Sequence, residues 1–424
     1  MSAGTATALR VTDGVRPRWF STRLQLLGPA FVAAVAYVDP GNFATNLTGG
    51  SAYGYALVWV VVLASGMAML VQYLSAKLGL ATGQNLPEAI RDRCSSSMLY
   101  VLWAQAEVMA VATDLAEFVG AAVALNLLFD VPLLPAGLMT AALAFGILAF
   151  QHHGYRPFER AVVGLLGIVA AGLLYDLLAA GHLSATDVAR GMVPTVSGDP
   201  AMLTTAVAIV GATVMPHVVY LHSAMTQSRL PTQTTQHRAR ALRWFRTDCV
   251  LGLGAAGVIN VAMLMLAAVL FHHPGHTGVT TLSGAYDGLR VSIGAIGALA
   301  FAVALLASGL SSASVGTYAG QVIMQGFLQR RIPLMLRRLL TMVPALCILA
   351  VGVSTTQALV ISQVVLSFGV PFALIPLLLL TSNRQLMHEF VNKRRTTVAA
   401  TLIVVTIVGL NALLLATTFG WTSN

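Results

Sequence analysis

Long runs of apolar residues alternate along the chain with short polar stretches, and eleven such runs can be drawn. They cover roughly 26–46, 55–80, 98–125, 133–150, 159–181, 201–226, 248–271, 291–328, 334–353, 357–381 and 397–419. A helix needs about 20 apolar residues to cross a bilayer, and each run comes close to that length or exceeds it. The eighth is long enough to include an extension beyond the membrane, ending near Arg330. In lipid the backbone groups of a spanning segment must be satisfied internally, so runs of this kind predict α-helices. The pattern is that of an all-α polytopic membrane protein with eleven transmembrane helices. The polar stretches between runs do not exceed about 25 residues, too few to house a soluble catalytic domain.

Composition narrows the class. Of 424 residues, 57% are hydrophobic and 9% are Lys, Arg, Asp or Glu, whereas a soluble domain carries about 25% charged residues. With a mean hydropathy of +0.80, water-soluble, disordered and collagen-like chains are excluded. The net charge of +9 would point to nucleic acid in a soluble protein; here its distribution matters more. If the N-terminus is cytoplasmic, inner segments hold 22 of the 24 Lys and Arg, including Arg238, Arg240, Arg243 and Arg246 in one loop. Arg330, Arg331, Arg337 and Arg338 lie in another, and the outer loops keep only Arg190 and Arg290. The excess is therefore an orientation signal with no nucleic-acid partner implied, and an odd number of spans places the C-terminus outside. Residues 1–25 form a cytoplasmic N-terminal segment carrying Arg10, Arg16, Arg18 and Arg23, without the small-residue site of a cleaved leader. Cys94, Cys249 and Cys347 show neither metal-ligand spacing nor a disulfide framework and take no role.

Two runs carry helix breakers near their middle: Asp39-Pro40-Gly41-Asn42 in the first and Met215-Pro216-His217 in the sixth. They lie five spans apart, in matching positions of two five-helix halves, and an odd number of spans per half inverts one half against the other. This divides the membrane domain, 26–424, into repeat one at about 26–181, repeat two at about 201–381 and an extra helix at about 397–419. Paired interrupted helices are the sequence mark of a transporter binding site. Proline removes a hydrogen bond and glycine lets the chain unwind, so carbonyls become free to line a cavity. For Pro216 alone a kink that shapes the bundle is the better reading; for Pro40-Gly41, flanked by Asp39 and Asn42, a site is.

Asp39 is the pivot, because a carboxylate at the bilayer centre costs about 2.5–3.5 kcal/mol and normally faces a cavity and a partner. Asn42 adds an amide oxygen. Met215, across the bundle, adds a thioether, which softer transition metals accept and Mg²⁺ and Ca²⁺ do not favour. As one methionine of 16, Met215 stands out only by its place at the second break. In the third run Glu107, Asp114 and Glu117 fall within an arc of about 80° and line one helix face with carboxyls, as a proton route requires. For Glu107 static pairing with a neighbouring helix is an equal reading. His217, directly after Pro216, suits a proton relay or a metal; His222 reads as a structural histidine. Asp176, beside Tyr175, reads as interfacial. His272, His273 and His276 read as solvated rather than as a metal site.

The stretches GPAFVAAVAYVDPGNFATN, QAEVMAVATDLAEF, GATVMPHVVYLHSA, FAVALLASGLSS and SQVVLSFGVPFALIPLLLL closely resemble the Nramp family of divalent metal transporters, its bacterial manganese-transporting branch above all. The resemblance runs from about residue 24 to about residue 415, and the paired DPGN and MPH motifs make it specific. It implies a LeuT-like fold with two inverted five-helix repeats and one extra helix, working by alternating access. It also implies proton-coupled import of Mn²⁺ and Fe²⁺, and often Co²⁺, Cd²⁺ and Zn²⁺, across a bacterial inner membrane, with no cofactor. By motif, the metal would be held by the side chains of Asp39, Asn42 and Met215 and by the carbonyls of Ala36 and Ala212. Gln363 would join in the occluded state. The implied proton route is Asp39, Asp114 and Glu117, with His217 nearby and Arg229 and Arg338 as charge partners toward the cytoplasm. Val218 stands where many animal members have Asn, so that position offers no ligand. Retention of Met215 argues against the magnesium- and aluminium-transporting relatives.

Two rival readings differ in class. A sodium-coupled organic-solute symporter on the same architecture would need a roomier site with groups for an amino or carboxylate substrate. An intramembrane enzyme would need a catalytic set, and no HExxH, paired catalytic aspartates or Ser-His arrangement occurs in the spans. An enzyme is not expected, nor an obligate protein partner.

Overall fold

The computed structural model describes residues 29–150, 155–181, 184–195, 199–227, 235–272 and 279–419. Every regular element among them is helical. The first apolar run is split into α1 (Pro29–Ala36) and α2 (Pro40–Tyr53), and α3 (Val58–Thr82) follows after a turn. A capping box between Asn85 and Glu88 starts the short α4 (Leu86–Arg91), satisfying two of the N–H groups that a helix start leaves free. Ser95 caps α5 (Ser96–Phe129), which Asp130 ends in the left-handed region at φ 54°. Next come α6 (Leu133–Phe150), α7 (Tyr155–Ala179) and the short α8 (Ala185–Gly191). The sixth run is again split, into α9 (Pro200–Thr213) and α10 (Pro216–Gln227). Then follow α11 (Thr235–Phe271), α12 (Leu282–Ser292), α13 (Ala295–Leu328), α14 (Leu334–Val351), α15 (Thr355–Ser382), α16 (Arg384–Met387) and α17 (Arg394–Thr418).

All eleven predicted runs fall on helices, and the two with mid-run breakers fall on pairs of half-helices. Among the described residues, seven helical stretches are long and apolar enough to cross a membrane by length and composition. The chain is a multi-pass membrane protein. Several boundaries differ from the sequence reading. The eighth run does not begin at 291: residues 291 and 292 close the amphipathic α12, and Gly294 at φ 91° makes the turn into α13. The polar stretch before residue 248 is not loop, because α11 already begins at Thr235. Neither α8 nor α12 has an apolar run long enough to register.

Half-helices α2 and α10 lie inside the bundle, against α11 and α3 respectively, while α5 and α13 form the most extensive helix pair. That pair is close because α13 presents glycine: a Cβ on Gly309 would stand 2.9 Å from Ala121 Cβ and 3.0 Å from the Glu117 carbonyl. The last helix, α17, is peripheral. Only 22% of its most apolar window is buried in the protein, against 83% for the α9–α10 stretch, as expected of a helix outside the central bundle.

Candidate functional site

Both breaks follow from one covalent fact. In a continuous helix the carbonyl of Ala36 would receive the N–H of residue 40, and that of Ala212 the N–H of residue 216; both donors are replaced by proline. The chain therefore turns after Ala36 and restarts at Pro40 with Asp39 as N-cap, whose backbone is extended at φ −91°, ψ 169°. At the second break α9 ends at Thr213, Val214 and Met215 leave helical geometry, and α10 restarts at Pro216.

Side chains from other helices satisfy part of the first break. Asn260 Nδ2 of α11 donates to the Tyr37 carbonyl at 2.8 Å, and Ser308 Oγ of α13 donates to the Val38 carbonyl at 2.6 Å. The two breaks meet through Asn42. Its amide nitrogen donates to Asp39 Oδ1 at 2.6 Å and to the Ala212 carbonyl at 3.0 Å, while the Asn42 backbone N–H donates to Asp39 Oδ1 at 2.8 Å. Gln363 of α15 closes the third side: a Cβ on Gly41 would collide with its amide and stand 2.9 Å from Asp39 Oδ2. Gly211 likewise lets α9 press against the backbone of α15 at Gln363. Asp39, Asn42, Met215 and Gln363 are all buried.

The hydrogen bonding leaves oxygens over. Asp39 Oδ2, Asn42 Oδ1 and Gln363 Oε1 are buried without a partner among the described residues. Leaving such an atom unpaired costs about 1–3 kcal/mol, and more for a charge. Three orphaned oxygens, two carbonyls deprived of their N–H donors and a buried thioether are a donor set suited to a cation.

A second cluster lies on α5. Arg338 Nη1 of α14 pairs with Asp114 Oδ1 at 3.0 Å, both side chains nearly fully buried. Arg337 grips Glu107 through two bonds, at 3.2 and 2.7 Å. Glu117 is buried with both oxygens unpartnered among the described residues. Gly316 of α13 makes the space for these acids, since a Cβ there would stand 2.8 Å from Glu117 Oε2 and 3.0 Å from Asp114 Oδ1. His217 lies between the clusters in the chain of contacts, with Nδ1 3.1 Å from Thr113 Oγ1 on α5. The sequence reading of Arg337 and Arg338 as loop cations is thus corrected: both lie on α14 and are buried in ion pairs. Asp176, read as interfacial, is buried within the protein with neither oxygen partnered among the described residues. Arg229, His273 and His276 lie outside the described residues. His272 rests against the Ser51 carbonyl, with Nδ1 3.1 Å away.

Sequence reading passed over the polar residues that brace the first break. Gln72 Nε2 donates to the Tyr37 hydroxyl at 2.7 Å, and Gln72 Oε1 lies 2.9 Å from His222 Nδ1. Asn46 reaches Asn260 at 3.1 Å, and Asp248 Oδ2 accepts the Ala30 N–H at 2.9 Å. The available signal was a neutral amide or an acid inside an apolar run, as at Gln72, Asn260 and Asp248.

Two proline-broken helices joined through Asn42 inside a helical bundle, with buried oxygens left unpartnered among the described residues beside them, define the broken-helix class of secondary transporters. The profile of the family described as natural resistance-associated macrophage protein-like, Nramp, matches residues 30–417. The chain is 47% identical over 413 residues to a divalent metal cation transporter MntH of Chromohalobacter salexigens, covering 97% of this chain and 95% of that one. It is 48% identical over 416 residues to the protein of the same name from Deinococcus radiodurans, covering 98% and 94%. Among solved structures, the Eremococcus coleocola manganese transporter in complex with an aromatic bis-isothiourea substituted compound superposes with a TM-score of 0.86 at 33% identity, over 98% of this chain and 92% of that one. Mhp1, a nucleobase-cation-symport-1 family transporter, shares the fold at a TM-score of 0.60 and 16% identity, over 92% and 90%. The chain belongs to the Nramp family, a family of membrane transporters and not of enzymes, and has its LeuT-like fold.

Proposed function

We propose that this protein imports divalent transition metal ions, Mn²⁺ and Fe²⁺ among them, by alternating access and together with protons. The observation that carries the reading is the set of buried oxygens of Asp39, Asn42 and Gln363, unpaired among the described residues, beside two breaks at which Met215 is buried and the carbonyls of Ala36 and Ala212 lack their helical donors. The names of the relatives, divalent metal cation transporter and manganese transporter, support it. In this reading the metal is cargo, released on each cycle, and no resident cofactor takes part. Asp39 supplies the charge, the oxygens replace part of the hydration shell and the thioether disfavours hard cations.

Protons take the second cluster. Asp114 and Glu117 stand side by side next to Gly316, so two negative charges there repel strongly and a shared proton relieves them. Arg338 offsets one charge, and the neighbouring Glu107–Arg337 pair continues the polar row along α5. His217 and Thr113 connect α10 to this row, and Arg229, outside the described residues, is the further charge partner that the family resemblance implies. The membrane is a bacterial inner membrane, with the N-terminus cytoplasmic and the C-terminus outside. Repeat one spans about 26–181, repeat two about 201–381, and the helix at about 397–419 is additional.

A sodium-coupled organic-solute symporter is the rival on this architecture, and the likeness to Mhp1 concerns the fold alone. The closeness of Gln363 to Gly41 and Asp39 leaves little room there for an organic substrate. Mn²⁺ uptake into proteoliposomes decides between them. Wild-type protein should accumulate Mn²⁺ under an inward proton gradient, and Asp39→Ala should lower the rate at least about tenfold, the effect of losing one interaction of about 1.4 kcal/mol or more. Near-normal uptake by the variant would remove this site from the pathway.

A further inference from the structure

Away from the transport site, a cavity of about 430 Å³ opens where the end of α3, the first turn of α11 and the α15–α16 corner come together. It lies on the face that the charge distribution assigns to the cytoplasm. Arg93, Arg238 and His388 line it with the polar side chains of Thr82, Asn383 and Gln385, and no carboxylate is among the lining residues. Among the described residues Arg238 bonds through Nη1 to the Ala81 carbonyl at 3.3 Å, while its Nε is buried without a partner. Arg93 is braced through Nη1 on the Ala89 carbonyl at 2.9 Å. The neighbouring acid does not neutralise it, because Asp92 is engaged by Arg91 at 3.0 Å and by Gln84 at 2.7 Å.

The cavity wall is fixed in place. Lys77 of α3 donates to Asn392, which in turn donates to Thr381 Oγ1 at 2.8 Å, so the linker bearing His388 is tied to α3 and to the end of α15. Asn383 spends its Oδ1 on the backbone N–H groups of Gln385 and Leu386, which leaves its amide nitrogen as a donor. Beyond the rim, Lys393, Arg394 and Arg395 are exposed at the start of α17.

We propose that this cavity binds a phosphoryl group. Two guanidinium forks, an imidazole and two amides are donors matched to a multi-oxygen anion, and arginine pairs with phosphate through paired N–H bonds in a way lysine cannot. The volume exceeds that of one phosphate ion and admits a headgroup with its glycerol, as basic pockets at the cytoplasmic ends of spanning helices do. The metal cargo, a cation, is excluded by the same charges. The phosphoryl group can come from an anionic phospholipid or from a free phosphate, and the two sources separate experimentally.

Full-length protein is placed in nanodiscs of phosphatidylcholine alone or with phosphatidylglycerol; native mass spectrometry reads retained lipid, and calorimetry reads inorganic phosphate added to the phosphatidylcholine discs. Arg93→Gln combined with Arg238→Gln should weaken whichever ligand binds by about tenfold or more, since at least one charge-assisted hydrogen bond is lost. Selective retention of phosphatidylglycerol without phosphate heat assigns the lipid headgroup; phosphate binding in the neutral discs assigns the soluble anion. Equal affinity in wild type and variant overturns the proposal. So does a wild-type protein that retains both lipids equally and gives no phosphate heat, a result that depends on no variant.

Discussion

Met215 gains its meaning from what surrounds it. It is buried at the second break, in the two-residue gap between α9 and α10, with the carbonyl of Ala212 three residues before it already turned to Asn42. A thioether in an otherwise oxygen-rich shell costs little to Mn²⁺ or Fe²⁺ but replaces a hard donor that Ca²⁺ and Mg²⁺ need. Met215→Ala frees space for water, an oxygen donor. We expect the variant to keep Mn²⁺ uptake within about tenfold of wild type while Ca²⁺ becomes a competitor, a shift of about 1 kcal/mol or more in relative affinity. Uptake assays with Ca²⁺ at rising concentration check this, and unchanged competition removes the thioether from selectivity. Asp39, Asn42 and Met215 were legible in the sequence because they flank prolines inside apolar runs. Gln72, Tyr37 and Asn260 were not, since a lone amide or phenol in a span has many uses until its partner is seen.

Between helices α5 and α14, two arginines are matched to two acids in register: Arg337 with Glu107, Arg338 with Asp114. Glu107 and Asp114 lie seven residues apart, two helical turns, so both face the same neighbour. The arginines are consecutive and diverge by 100° around α14, which sends one guanidinium to each acid. The bidentate grip on Glu107 makes the static reading of that residue the stronger one. Arg337→Met should lower stability by about 3 kcal/mol, or somewhat less because the Glu107 carboxylate is partly exposed, by stranding a carboxylate. The double variant Arg337→Met, Glu107→Gln should regain most of that loss. Thermal unfolding in detergent measures both, and a double variant no better than the single one would show that the pair contributes no coupling. The sequence suggested a static partner for Glu107 and a charge role for Arg338, but not that consecutive arginines of one helix match the two acids. It counted Arg337 and Arg338 with the loop cations although they fall at the start of the 334–353 run, because the apolar pattern of α14 records only that a helix is present, not that its first turns are buried.

At the scale of the whole molecule, charge and length set the topology. With the N-terminus cytoplasmic, as proposed, Arg190 and Arg290 would be the two cations on the outer side and 22 others would lie within. Two of the 22 are the buried Arg337 and Arg338, near the start of α14, so the proposed asymmetry rests on the others. An epitope added after the last residue should be reached by antibody on intact spheroplasts, and one added before Met1 only after permeabilisation. The reverse pattern would invert the topology, and equal access of both would break the odd span count. Helix α17 is largely unburied by the rest of the protein, as expected of a helix at the edge of the bundle.

The sequence by itself determined the class, the runs and the breaks. Apolar length, proline chemistry and charge asymmetry are local or additive properties, written residue by residue and readable without a fold. It also marked Asp39, Asn42, Met215 and the acid face of α5, because polar groups in a membrane span are costly enough to be conspicuous. Tertiary structure alone decided which groups remain unpaired. Asp39 Oδ2, Asn42 Oδ1 and Gln363 Oε1 are left without a partner among the described residues, with the Asn42 nitrogen spent on Asp39 and Ala212 and Gln363 let in by Gly41. Hydrogen-bond satisfaction depends on residues up to hundreds of positions apart, as between Arg338 and Asp114 or Asn260 and Tyr37. No periodicity along the chain encodes it.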